Sequence, residues 1–249
     1  MSAKVNVFRE GGVLVLELNR PDKKNALDRD MYEALIAALE QAAAEADIRV
    51  AALRGTGGVF TAGNDLNDFI AALGALETFP ALRFVRALAA FEKPLIAAVE
   101  GDAVGVGTTL LLHCDLVYAA PSAKFKMPFV DLGLVPEAGA TLLAPRLMGQ
   151  ARAAQYLLLC DAFGAEEALA MGLVNKIAPA EEIWPLALDA ARRLVQKPRE
   201  ALLATRRLLR GAPAEILARI DAEAECFSRA LKSEETRARF AAFLGGKGK

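Results

Sequence analysis

Three short segments combine small residues, polar groups and the end of a predicted element, where a chain can present amides or carboxylates to a ligand. The first, VFTAGNDL at Val59–Leu66, contains Gly63, which permits an unusual backbone angle, and Asp65, which stands where a helix would begin. Backbone N–H groups at such a turn can donate hydrogen bonds to an anion or an oxyanion. A strand-to-helix turn without a ligand has the same pattern, so spacing alone leaves both interpretations open.

The second segment has glycines at positions 101, 105 and 107 between a predicted strand and an apolar helix. Its spacing, GxxxGxG, differs from the GxGxxG pattern of dinucleotide-binding folds, and it has no phosphate-loop lysine. A helix that begins near Gly105–Gly107 would expose unpaired N–H groups and the positive end of its dipole. Close packing of the helix against the strand would also explain these glycines.

The third segment places Glu137 in the sequence PEAG at the start of a predicted helix. A carboxylate in that position can simply complement the helix dipole. The neighbours Leu134, Val135 and Leu142 are apolar, and partial desolvation by them would raise the pKa of Glu137 towards that of a useful base. Glu137 is therefore a candidate general base.

The overall composition argues against several other kinds of site. The 249 residues carry 30 Lys and Arg against 31 Asp and Glu without a basic block, so no nucleic-acid partner is expected. With one histidine, His113, and three separated cysteines, the chain has too few ligands for a zinc or haem site, and no metal is expected. His113 is interpreted as a packed residue at a helix end. No signal peptide or spanning helix is recognisable, which predicts a soluble cytoplasmic protein without a membrane partner.

The elements that must position these segments follow from apolar spacing and turn residues. Val5–Phe8 and Val13–Leu18 flank a glycine turn and predict a hairpin, and Asp28 is placed to cap the helix that follows. An α/β core followed by a helical C-terminal region is the fold class that the whole pattern predicts. Further strands are predicted at Val50–Leu53, Leu95–Val99 and Leu116–Tyr118, and helices at about 65–91 with a break near Pro80, 108–113, 138–148, 151–160, 165–171, 181–196, 198–210 and 213–243.

Taken together and in order, these motifs resemble the crotonase superfamily, the enoyl-CoA hydratase/isomerase family. The resemblance extends from the hairpin and the loop NRPDKKNAL through FTAGNDL, KPLIAAVEGDAVGVG and CDLVYAA to LGLVPEAG and the MGLVN stretch that ends at Asn175. It implies an α/β spiral of ββα units over 1–195, with the CoA and oxyanion site, and a helical region over 196–249 used for trimerisation. It also implies an acyl-CoA thioester substrate, no cofactor besides the coenzyme A of that substrate, and a homotrimer or dimer of trimers.

The resemblance also implies roles for single residues. The two oxyanion donors of the family correspond to the backbone amides of Asn64 and Val106, which would stabilise the enolate formed when an α-proton leaves the thioester. Other positions correspond to residues near the NAL motif, along the pantetheine path, around the acyl group and at the adenine end. These implied substrate-binding residues are Lys23, Asn25, Ala26, Leu27, Ala62, Gly63, Asp65, Leu66, Gly105, Thr109, Phe129, Phe227 and Lys247.

The chain departs from the hydratases of the family at both of their catalytic carboxylates. Thr109 and Phe129 stand where the hydratases have glutamates, whereas Glu137 stands where the Δ3,Δ2-enoyl-CoA isomerases have their single glutamate. One carboxylate suffices to remove a proton from C2 and return it at C4, so an isomerase is the predicted activity. Hydration with a water held by Thr109, isomerisation of a ring-derived acyl-CoA, and acyl-CoA binding without catalysis are the alternatives.

Overall fold

A computed structural model describes residues 3–65 and 80–244 of the chain. The predicted substrate contacts Leu66 and Lys247 lie outside these residues, as does most of the helical segment predicted before Pro80. Within the described ranges, strands and helices alternate in the first half and helices dominate the second half. This arrangement confirms the predicted α/β class.

Short strands alternate with helices up to about residue 177, and longer helices follow. The strands run over Val5–Glu10 (β1), Val13–Leu18 (β2), Val50–Gly55 (β3), Leu95–Val99 (β4), Asp102–Val104 (β5), Leu116–Ala119 (β6), Lys124–Lys126 (β7), Phe163–Gly164 (β8) and Lys176–Ile177 (β9). The helices run over Arg29–Ala44 (α1), Ala81–Ala90 (α2), Val106–Thr109 (α3), Ala140–Met148 (α4), Gln150–Leu158 (α5), Ala165–Ala170 (α6), Ala180–Val195 (α7), Arg199–Arg210 (α8), Pro213–Leu231 (α9) and Glu234–Leu244 (α10). Single 3-10 turns lie at Pro21–Lys23, Leu110–His113 and Val130–Leu132.

The main sheet contains six strands in the order β1, β2, β3, β4, β6 and β9. Its first two strands form the predicted antiparallel hairpin, which turns at Gly11 with a φ of +60°, and the remaining neighbours pair in parallel. Parallel strands are normally covered on both faces and read as continuous apolar runs, and β2 and β4 are buried along their full length. The carboxyl ends of β3 and β4 lead into the two segments from which the candidate amide donors come.

Separate hydrophobic cores cover the two faces of this sheet. Leu14 points into the larger core, which includes the buried faces of α1 and α2, whereas its neighbour Val15 points into the smaller core. The smaller core is closed by α7, which contributes Ile183 and Ala187. Asp28 begins α1 as predicted, because its side chain accepts a hydrogen bond from Met31 N at 3.0 Å.

The second sheet was not predicted, because its strands have only two or three residues. β5 lies inside the glycine-rich segment and pairs in parallel with β7, which pairs antiparallel with β8. The helix predicted at 108–113 instead begins at Val106 and continues as a 3-10 turn after Thr109. The helix predicted at 213–243 is two helices, because Ser233 interrupts it and accepts from Thr236 N with its hydroxyl at 3.2 Å.

The predicted boundary at residue 195 coincides with the C-terminal end of α7. The division of the chain at that point into two functional parts stays a prediction. None of the helices in the described ranges is both long and apolar enough to cross a bilayer.

Candidate active site

Two loops lie side by side at the carboxyl ends of β3 and β4. Thr61 N donates to Asp102 O at 2.9 Å and Val104 N donates to Thr61 O at 3.0 Å, so the segment after β3 runs parallel to β5. Gly63 has a φ of +86°, and a Cβ at this position would lie 2.6 Å from Val104 O. Only glycine therefore allows the loops to approach this closely.

The close approach leaves two backbone N–H groups available as donors. Asn64 lies between two hydrogen bonds to Leu27, one from Leu27 N to Gly63 O at 2.7 Å and one from Asp65 N to Leu27 O at 2.9 Å. Its own N–H consequently points away from Leu27. The Val106 N–H begins α3 and has no acceptor within that helix. Neither amide donates to another of the described residues, so both fit the predicted oxyanion role.

Glu137 lies in the loop before α4, and its carboxylate contacts the short helix α3 that begins at Val106. Its Oε1 accepts a hydrogen bond from the hydroxyl of Thr109, which is buried on the same short helix as Val106. Burial raises the pKa of Glu137 to about 7, the hydrogen bond from Thr109 opposes this rise, and the charge of Glu223 adds to it. A carboxyl group with such a pKa can both accept and return a proton near neutrality.

Tyr32 joins the site from the buried face of α1. Its hydroxyl donates to Asn64 Oδ1, and burial together with the charge of Glu137 raises the pKa of the phenol well above its usual range. The phenol therefore stays protonated and anchors the Asn64 side chain as a donor. Sequence reasoning missed Tyr32, although a hydroxyl on an otherwise apolar helix face was the signal that could have found it.

Glu223, which sequence reasoning also missed, caps α4 from the distant helix α9. Its buried carboxylate accepts from Gly139 N at 2.7 Å, from Thr141 N at 2.9 Å and from Thr141 Oγ1 at 2.6 Å. The carboxylate that meets the first amides of this helix is thus Glu223, which takes the dipole-complementing position considered for Glu137. The contact between Glu223 and Gly139 joins residues 84 positions apart, so no local sequence pattern could predict it.

His113 has a more specific role than the packing role expected for it. The ring is fully buried, and its Nε2 lies 2.7 Å from Ala138 O. Burial lowers the pKa of His113 to about 4, so the ring is neutral, and since a carbonyl only accepts, Nε2 carries the proton and donates. Ala138 has a φ of +59°, a left-handed conformation that costs a non-glycine residue about 1–2 kcal/mol.

The loop that contains the NAL motif packs against the Asn64 segment. Ala62 N donates to Lys24 O at 2.9 Å, and the Asp65 carboxylate pairs with Arg20 at 2.8 Å. The Asn25 side chain is buried and donates to Thr56 O and Val59 O, both at 2.9 Å. The structure thus brings together the predicted contacts Lys23, Asn25, Ala26, Leu27, Ala62, Gly63 and Asp65. Asn25 and Leu27 are fully buried and their backbone groups bond within the protein, so their direct contact with substrate stays a prediction.

The remaining predicted contacts have mixed placements. Gly105 has a φ of +58° and caps α3, and Thr109 contacts Glu137. Phe129 is buried in the larger core, and Phe227 on α9 is partly buried against that core. These two aromatic residues therefore contribute to packing, and their predicted contact with substrate stays a prediction.

Comparisons with known proteins agree on one family. A family model described as enoyl-CoA hydratase/isomerase matches residues 9–247. The 1,2-epoxyphenylacetyl-CoA isomerase of Escherichia coli (strain K12) is 37% identical over 247 residues, which cover 94% of this chain and 93% of that protein. Enoyl-CoA delta isomerase 2 of Rattus norvegicus is 39% identical over 193 residues, 74% of this chain and 49% of the rat protein, so the match spans about half of that relative. In the solved structure of Pseudomonas aeruginosa OdaA, 99% of the chain superimposes on 98% of this one with a TM-score of 0.93 and 44% identity.

Proposed function

Because the chain belongs to the enoyl-CoA hydratase/isomerase family and has the crotonase fold, we propose that it isomerises a 3-enoyl-CoA to a trans-2-enoyl-CoA. The observation that carries this proposal is the carboxylate of Glu137, which accepts a hydrogen bond from Thr109 on the same short helix that supplies the Val106 amide. One base next to a pair of amide donors is what a proton shift beside a thioester requires.

In the proposed reaction, ionised Glu137 removes a proton from C2 of the substrate. The electron pair moves to the thioester oxygen, and the N–H groups of Asn64 and Val106 donate to the resulting dienolate. Protonated Glu137 then gives the same proton to C4, which restores the thioester carbonyl and leaves the double bond between C2 and C3. General-base catalysis contributes typically about 10²–10⁴ in rate, and each oxyanion donor about 10²–10³.

Hydration is less well supported by the geometry. Thr109 stands at the position of one hydratase glutamate, and its hydroxyl already donates to Glu137 instead of being free to donate to a water. Phe129 stands at the other glutamate position and is buried in the core.

A ring-derived acyl-CoA is the second candidate substrate. It is favoured by the E. coli 1,2-epoxyphenylacetyl-CoA isomerase, which aligns with nearly the whole chain. The two candidates share the enolate chemistry and differ in the shape of the acyl group.

The substrate contacts implied by the family resemblance and the oligomeric state are part of the same proposal. Lys23 and its neighbours in the NAL loop would hold the CoA portion through their backbone, with no cofactor beyond the substrate's own CoA. Leu208 and Leu209 on α8 are 84% and 82% exposed, and Leu158 and Leu159 at the end of α5 are 65% and 68% exposed. Such apolar exposure supports a homotrimer or a dimer of trimers.

The proposal is tested by incubating the purified protein with trans-3-hexenoyl-CoA and, separately, with trans-2-hexenoyl-CoA. Conversion of the 3-enoyl to the 2-enoyl ester without a mass change supports the isomerase. A product heavier by one water from the 2-enoyl ester identifies a hydratase instead. Binding of either ester without conversion overturns the proposal for these substrates and favours the ring-derived or the non-catalytic alternative.

A further inference from the structure

One peptide group next to Glu137 is held from both ends by buried polar side chains. The carbonyl of Ala138 accepts from His113 Nε2 at 2.7 Å, and the N–H of Gly139 donates to Glu223 Oε2 at 2.7 Å. These two atoms belong to the same peptide bond. His113 is fully buried and Glu223 is 5% exposed, and they come from the turn after α3 and from α9 respectively.

We propose that His113 and Glu223 are positioning residues that aim the Glu137 carboxylate by fixing the Ala138–Gly139 peptide. The inference rests on the proposed role of Glu137 as the base and assigns a function to two residues that do not themselves touch substrate.

The backbone at this point needs such support. Ala138 and Gly139 are consecutive left-handed residues, with φ of +59° and +71°, and alanine rarely adopts this conformation without restraint. Rotation of the Ala138–Gly139 peptide would change the path by which Glu137 joins α4. The carboxylate would then lose its alignment with Thr109 and with the amide donors.

The two contacts have opposite polarity, which makes them selective for one peptide orientation. The neutral His113 ring presents an N–H, and its Nδ1 is buried without a hydrogen-bond partner in the described residues. Glu223 presents an acceptor. A rotated peptide would turn its carbonyl towards the carboxylate and its N–H towards the imidazole N–H, and both contacts would become repulsive.

The acceptor itself is also held in place. Arg219 Nη1 lies 3.2 Å from Thr141 Oγ1, and because arginine can only donate, the Thr141 hydroxyl accepts from it and donates to Glu223 Oε1. Thr141 N also donates to Oε1 of Glu223, so the other carboxylate oxygen, Oε2, remains directed at Gly139 N. Positions 113 and 223 therefore act on one backbone unit through fixed hydrogen bonds.

A matched pair of variants separates the hydrogen bond from the volume of the side chain. His113→Gln retains an N–H donor at about the place of Nε2, whereas His113→Leu has a similar size and no donor. With trans-3-hexenoyl-CoA as the probe, we expect His113→Leu to lower kcat by about 10- to 100-fold with KM changed less than about threefold, since small misplacements of a reacting group have effects of this size. His113→Gln should recover most of the loss.

A second variant keeps the test valid if His113→Leu fails to fold. Glu223→Gln preserves shape but has one acceptor oxygen where Glu223 uses two, so kcat should again fall more than KM changes. The double variant His113→Leu/Glu223→Gln should be only slightly slower than the worse single variant, because both act on the same peptide. Losses that simply multiply would indicate two independent structural effects and would overturn the proposal.

Glu137→Gln distinguishes this inference from the proposed function. If Glu137→Gln is inactive while folded His113→Leu and Glu223→Gln keep wild-type kcat, the positioning role is wrong and Glu137 remains the base. If Glu137→Gln retains most activity, both the proposed base and its positioning are wrong.

Discussion

Thr109 donates a hydrogen bond from its hydroxyl to the Glu137 carboxylate, so a buried residue of the short helix α3 acts directly on the proposed base. The hydrogen bond favours the ionised form of Glu137 and opposes the effect of burial on its pKa. The pKa of Glu137, the proposed base, thereby stays at about 7, and the carboxyl group can ionise near neutral pH.

Removal of this donor should make the base harder to ionise. Thr109→Val has nearly the same shape without the hydroxyl, so the pKa of Glu137 should rise and kcat/KM at pH 7 should fall by about tenfold. Above about pH 9 the difference should shrink. Thr109→Ser is the matched control, because it keeps the hydroxyl, and it should follow the wild-type pH profile. Equal profiles for the valine and serine variants would exclude the proposed effect.

The rate should depend on pH through Glu137. Its pKa of about 7 means that kcat/KM should rise as pH increases through about 7 and fall about tenfold per unit well below it. The groups that act on this carboxyl are Thr109 and Glu223, while His113, with a pKa of about 4, is already neutral throughout this range. In Glu223→Gln the loss of a nearby negative charge should move the inflection to lower pH. An inflection near 4.5 in the wild-type enzyme would contradict this assignment.

The free energy of unfolding should fall as pH rises and Glu137 ionises, whereas kcat/KM should rise over the same range. Between the ordinary glutamate pKa of about 4.3 and the folded-state pKa of about 7, the folded protein binds more protons, so its free energy of unfolding falls as pH rises. Glu137→Gln lacks this titration and should therefore be more stable than wild type by about 1–3 kcal/mol above pH 8. At pH 4 the two proteins should have nearly equal stability. Urea unfolding at both pH values measures the difference, and equal stability at pH 8 would contradict burial of the charge.

Gly63 should tolerate no side chain. Gly63→Ala places a Cβ 2.6 Å from Val104 O at a left-handed φ, so the two loops must separate. We expect a loss of at least about 10² in kcat, the size associated with one oxyanion donor, together with a lower Tm. Gly58→Ala is the control, because Gly58 has a φ of +70° but nothing within 4 Å of the added Cβ. Equal losses of kcat in Gly63→Ala and Gly58→Ala would show that activity does not depend on the close approach of the two loops.

The comparisons confirm the family and the fold that the motifs predicted. Local patterns were sufficient for the β1–β2 hairpin, the Asp28 cap and strand β4, since each is determined by residues close in sequence. They were insufficient for β5 and β7, because three-residue strands have too little periodicity to recognise.

Within the candidate site, the sequence indicates the proposed base and oxyanion donors but not the residues that contact them from distant parts of the chain. Glu137, Asn64 and Val106 stand in recognisable segments. Tyr32 and Glu223 do not, because each meets its partner only after the chain has folded over 32 and 84 residues respectively. The sequence predicts only a packing role for His113, since the apolar residues around it give no sign of its carbonyl partner Ala138.

The two proposed oxyanion donors belong to the main chain, and this affects how the site can diverge. No ordinary substitution at Asn64 or Val106 deletes an N–H, because proline alone lacks one. A substitution at position 109 or 137, by contrast, replaces the side-chain group itself. Substitution of the surrounding side chains would therefore change which proton moves, while the two backbone donors proposed to stabilise the enolate remain.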